Sequence, residues 1–166
     1  MSGARGDEPK SWVHEMTEPA LVEWAHQLGR VVAGNGVFVC LRGELGAGKS
    51  SLARAACRGA GVTGPVPSPT LTQVNRYEGR GGQVLCHADL YRLDGPEGLA
   101  DMGWSDLVRS DRAVFVEWAD RADGYLPIDR WEIRRDFVNV LTRRRVTALS
   151  IGDVPPVPTP QKGLES

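Results

Sequence analysis

One octapeptide limits what this chain can fold into: Gly43-Glu44-Leu45-Gly46-Ala47-Gly48-Lys49-Ser50. It has the spacing Gly-x4-Gly-Lys-Ser/Thr of a phosphate-binding loop. Glycines let successive backbone N–H groups turn toward one anion, in conformations that a side chain would obstruct. The lysine adds a point charge, and the following hydroxyl is a hard oxygen donor suited to Mg2+. Such a loop requires a buried strand before it and, after it, a helix whose positive N-terminus faces the anion. The flanks comply. Val37–Leu41 is an apolar run of buried-strand type, and Ser51–Arg58 reads as a helix closed by Gly59 and Gly61. Lys49 is one of only three lysines, with Lys10 and Lys162, so its place in the motif does not follow from a lysine-rich composition.

The loop predicts a nucleotide site. The amides of Leu45, Gly46, Ala47, Gly48, Lys49, Ser50 and Ser51 would face the phosphates, with Lys49 bridging the β and γ oxygens of ATP or meeting the β oxygens of ADP. Two further strands close on acids. Ala113–Trp118 is an apolar run carrying Glu117 at its end, the layout that delivers a carboxylate to Mg2+, so Ser50 and Glu117 are the predicted metal ligands. Val84–Asp89 ends likewise, and Asp89 is placed to order the attacking water or the metal shell. Between the first helix of the site and these strands lie Pro65, Pro67 and Pro69, which exclude helix and central strand and predict a loop. His87 reads as out of phase with the neighbours of Asp89 and stands between a core histidine and a site residue. Trp118 either packs under the site or joins a docking surface. Arg92 stabilises charge, contacts a partner or makes a structural ion pair.

The rest of the chain supports one domain. At 166 residues and 18.0 kDa it holds one core. Its net charge of −1 gives no global field toward nucleic acid or membrane, so no autonomous nucleic-acid binding is expected. No apolar run approaches the roughly 18–20 residues of a membrane span, and Met1–Lys10 lacks an apolar signal core. Cys40, Cys57 and Cys86 show no metal-type spacing and read as buried thiols of a reducing compartment, so the cytoplasm is expected. Residues 1–12 read as disordered, 13–152 as the ATPase domain and 153–166 as a proline-rich disordered tail. Thr17 is a predicted N-cap, with Pro19 in the first turn of a helix that Gly34-Asn35-Gly36 ends; Trp24 on that helix reads as core. Leu71–Tyr77, Trp131–Phe137 and Arg145–Leu149 alternate as strands, the last two around a basic turn at Arg143-Arg144. Short helices are expected from Pro96 and from Trp104. The fold class is therefore α/β: a three-layer P-loop NTPase fold with a mixed, largely parallel sheet, antiparallel toward both ends.

Taken in order, Leu41–Ser50, Ser68-Pro69-Thr70-Leu71-Thr72, His87-Ala88-Asp89-Leu90-Tyr91-Arg92, Pro96-Glu97, Glu117-Trp118 and Leu126-Pro127 resemble the TsaE family, formerly YjeE. These are small P-loop ATPases of bacterial tRNA threonylcarbamoyladenosine synthesis, and the resemblance spans about residues 17–150. It implies an ATP- and Mg2+-dependent ATPase, weak alone and coupled to TsaD and TsaB, which attach threonylcarbamoyl to adenosine 37 of tRNA. It also implies that Thr70 acts as a switch residue sensing the γ-phosphate, against the alternative of a rigid proline-locked turn. Arg143 or Arg144 would lie near the base. Ser50 stands where the family mostly has Thr, which preserves the hydroxyl; Leu71, Gln73 and Ala119-Asp120 also depart from the common pattern. A small-molecule kinase is the competing reading, but no Arg-rich lid lies between Asp89 and Glu117. A GTPase would need Asn-Lys-x-Asp, which is absent.

Overall fold

The computed structural model describes residues 10–43, 49–67, 74–109, 113–138 and 143–161. Within them run β1 (Ser11–Thr17), α1 (Glu18–Asn35), β2 (Phe38–Arg42), α2 (Lys49–Gly59), β3 (Val74–Glu78), β4 (Val84–Asp89), α3 (Pro96–Asp101), α4 (Trp104–Arg109), β5 (Ala113–Glu117), β6 (Arg130–Phe137) and β7 (Arg143–Ile151). The strands form a single sheet in the order β1-β7-β6-β2-β5-β4-β3. β2 pairs in parallel with β5 and β6, and β4 in parallel with β5. The pairs β1–β7, β6–β7 and β3–β4 are antiparallel. Among the described residues the sheet is thus mixed: its four central strands, β6-β2-β5-β4, run parallel and the pairs toward both ends are antiparallel.

Helices cover both faces at the centre, which is why β2 and β5 are apolar without alternation. Leu41, Phe115, Ile133 and Trp131 face α1 and α2, while Cys40, Cys86, Val114 and Val116 face α3, α4 and the turn at Ala119–Ala122. α1 starts as expected: Thr17 accepts a hydrogen bond from the Ala20 amide at 3.4 Å, and Pro19 occupies the first turn. It ends at Gly36, whose φ of 62° belongs to the left-handed region. α1 and α2 meet backbone to backbone, Gly29 against Ala56 and His26 against Gly59. No helix among the described residues is long and apolar enough to cross a membrane.

Three expectations change. Ser11 and Trp12, read as part of a disordered leader, begin β1; Trp12 and Met16 are buried beneath α1 only because β7 supplies the pairing edge. Arg143 and Arg144 are strand rather than turn, placed opposite Thr17 of β1 and Phe137 of β6 respectively. Residues 155–158, inside the segment read as a disordered tail, lie along the domain. The indole N–H groups of Trp131, Trp12 and Trp24 donate to the carbonyls of Pro155 at 2.6 Å, Val157 at 3.2 Å and Pro158 at 2.7 Å. Proline-rich chain has no internal hydrogen bonds to lose, so three donors at the right spacing suffice to hold it.

Candidate functional site

Parallel strands bring their C-terminal ends to one edge of the sheet, and the site is built there. β2 leads out through Arg42 and Gly43, β5 ends in Glu117, and β4 ends in Asp89 directly opposite Glu117 in the register. α2 starts at the same edge with Lys49 and Ser50 in its first turn.

Lys49 is buried, and its ammonium donates to the Gly43 carbonyl at 2.7 Å while lying 4.1 Å from the centroid of the Trp118 ring. Burial lowers its pKa; Glu117, Asp120 and Asp89 work in the opposite direction. Ser50 Oγ donates to Glu117 Oε1 at 2.7 Å. The other oxygen of Glu117 lies 2.6 Å from Nε2 of His87, whose side chain is fully buried. Asp89 Oδ1 accepts from the Tyr91 amide at 2.9 Å, which anchors one oxygen of that carboxylate. Trp118 adopts φ 58°, alone among the described non-glycine residues in being positive. That conformation costs an ordinary L-residue roughly 1–2 kcal/mol, and such strain concentrates at functional sites. It turns the indole over Lys49, with the Tyr91 ring packed against it at 5.0 Å.

The structure brings Lys49, Ser50, Asp89 and Glu117 to the same edge of the sheet. Ser51 follows on the exposed side of the first turn of α2, in a small cleft with Glu18 and Arg135. Leu45, Gly46, Ala47, Gly48 and Thr70 lie outside the described residues. Arg92 is exposed after β4, and the Arg144 guanidinium stacks on Phe137 at 4.6 Å.

Two residues escape the sequence reading. His87 is not out of phase: positions 87 and 89 are two apart on β4 and share a face, as do 115 and 117 on β5. Counting by twos places His87 beside Glu117. Arg135 is 2% exposed and pairs with Glu18 at the start of α1. The signal is again alternation, because Trp131, Ile133 and Arg135 share the inward face of β6.

A serine hydroxyl bonded to a carboxylate is an oxygen-donor set that fits Mg2+. Among the described residues no three His, Cys, Asp or Glu side chains converge to cage an ion. Ser50 and Glu117 would accordingly hold Mg2+ together with phosphate and water oxygens, the usual habit of that cation.

The chain is similar to known proteins. The family model described as "Threonylcarbamoyl adenosine biosynthesis protein TsaE" matches residues 15–146. A Haemophilus influenzae protein named "tRNA threonylcarbamoyladenosine biosynthesis protein TsaE" is 43% identical over 91 residues, covering 55% of this chain and 57% of that protein. The Streptomyces coelicolor protein of the same name is 41% identical over 116 residues, covering 66% of this chain and 77% of that protein. The solved structure of YdiB from Bacillus subtilis superposes with a TM-score of 0.70 at 24% identity, covering 86% of this chain and 87% of that one, which shows a shared fold.

Proposed function

The chain belongs to the TsaE family, and on that premise we propose that it binds Mg2+–ATP at the loop between β2 and α2 and hydrolyses it in tRNA threonylcarbamoyladenosine biosynthesis, coupled to the TsaD–TsaB pair. The observation that carries the reading is the contact between Ser50 of α2 and Glu117 of β5, beside a buried lysine.

When bound, Mg2+ neutralises phosphate charge, and the protein's task is positioning. Lys49 Nζ has a backbone carbonyl of its own loop as acceptor, and a phosphate oxygen is the stronger, charged acceptor for the same donor. Ser50 and Glu117 would hold the metal, with Oγ and Oε1 as the oxygens they offer. Asp89, kept in one orientation by the Tyr91 amide, sits opposite Glu117 and orders the attacking water. Trp118 keeps solvent from one side of Lys49, which strengthens the local electrostatics.

The test is steady-state ATP hydrolysis with and without cognate TsaD–TsaB, with Glu117→Ala as control. Slow turnover that rises with the pair and disappears in the variant is expected. Turnover indifferent to TsaD–TsaB sinks the coupling, and turnover indifferent to Glu117→Ala sinks the site.

A further inference from the structure

We propose that His87 is a positioning residue for Glu117: its Nε2 holds back Oε2 of the carboxylate so that Oε1 alone is presented to Ser50 and the metal. The inference rests on the Mg2+–nucleotide reading above.

The geometry is specific. Glu117 is 3% exposed, and its two oxygens are taken by different elements: Oε1 by Ser50 at 2.7 Å from α2, Oε2 by His87 at 2.6 Å from β4. The carboxylate cannot rotate without breaking both bonds. His87 stands on the strand face that also carries Leu85, opposite Phe115 of the neighbouring strand. Packing there would be served by another hydrocarbon or aromatic side chain, whereas burying an imidazole costs free energy unless its polar atoms are used.

His87 Nδ1 is buried and has no hydrogen-bond partner among the described residues. The ring's polar contact is therefore the one between Nε2 and Glu117 Oε2.

The consequence is orientational. Mg2+ demands near-ideal octahedral geometry, and groups that orient its ligands change metal affinity by roughly 10–100-fold. With Oε2 tied to His87, Glu117 contributes one oxygen, directly or through water, and Oε1 stays aligned with Ser50.

The experiment uses the full chain with His87→Phe, which fills the space without a donor, and His87→Gln, which restores one. Binding of a fluorescent ADP analogue is titrated with Mg2+. His87→Phe is expected to raise the half-saturating Mg2+ concentration by roughly 10–100-fold with binding in EDTA unchanged, and His87→Gln to recover most of the loss. A Phe variant with the wild-type Mg2+ midpoint overturns the proposal, as does a Gln variant no better than Phe. Long-range 1H–15N spectra of the ligand-free wild type give a second readout. His87 ring nitrogen resonances displaced by Glu117→Gln are expected; resonances indifferent to Glu117→Gln refute the pairing even if the Phe variant fails to fold. Should wild type bind no nucleotide with Mg2+, the functional reading fails, while the spectra still decide the His87–Glu117 pair.

Discussion

The contact between α1 and α2 allows a test in which one substitution has opposite effects at two places on the same helix. At Gly29 an added Cβ would lie 1.8 Å from the Ala56 carbonyl oxygen, whereas ordinary contact begins near 3.4 Å. About 1.6 Å must therefore be found. The obstacle is backbone within α2, bonded to the Ala60 amide at 3.0 Å, so no side-chain rotation relieves it. The helices have to part, and His26 against Gly59 limits how they pivot. Overpacking of this kind costs typically about 1–3 kcal/mol and sometimes more. Taking about 3 kcal/mol, Gly29→Ala lowers Tm by roughly 6–12 °C in a chain of this size. Gly34 lies in the last turn of the same helix with nothing within 4 Å of its added Cβ. There alanine gains up to about 1 kcal/mol of helix propensity and unfolded-state entropy, for a rise of roughly 1–4 °C. Because α2 carries Lys49 and Ser50 at its start, Gly29→Ala also weakens Mg2+–nucleotide binding and Gly34→Ala does not. Calorimetry of both variants is the assay. A Gly29→Ala protein as stable as wild type, or shifts of the same sign at both positions, refutes the packing argument.

Other outcomes follow from the same coordinates. Ending the chain after Gly152 removes three indole-to-carbonyl bonds, worth about 1 kcal/mol each, and the burial of Val157, worth about 2 kcal/mol. Tm then falls by roughly 10–20 °C with a red shift of tryptophan emission; an unchanged Tm shows that the segment contributes nothing to the fold. Burial pushes the Cys40 and Cys57 thiols up to about 12. Unfolded thiols ionise near 8.5, so the stability from keeping them protonated is complete below that pH and is lost as pH rises toward 12. The slope is about 1.4 kcal/mol per pH unit for each thiol. Urea midpoints from pH 8 to 10.5 should fall more steeply in wild type than in Cys40→Ala/Cys57→Ala, and parallel slopes would contradict the burial.

Much of the site is readable before any coordinates. The helix that follows the loop and the acids at the ends of β4 and β5 follow from local rules of turn geometry and strand length, though the helix begins two residues earlier, at Lys49, than the sequence reading placed it. α1 shows its cap at Thr17 and its stop at Gly36 for the same reason. His87 and Arg135 were also within reach, since two-residue alternation on β4 and β6 points both inward. What alternation does not tell is the partner. Compositional reasoning failed for Trp12 and for Pro155–Pro158, because a polar leader and a proline-rich tail are ordered here by groups far away in the chain.

The sequence by itself determined the phosphate-loop motif, the acid-ended strands and the order of strands and helices after β1, all of which depend on residues a few positions apart. The tertiary structure decided the pairings that give those residues their chemistry. His87 reaches Glu117 across 30 positions, Arg135 reaches Glu18 across 117, and two of the three indoles that hold the tail, those of Trp12 and Trp24, lie more than a hundred positions earlier. Hydrogen-bond partners at such separations are set by sheet order and strand register. Both are properties of the whole packed core, and no local stretch of sequence carries them.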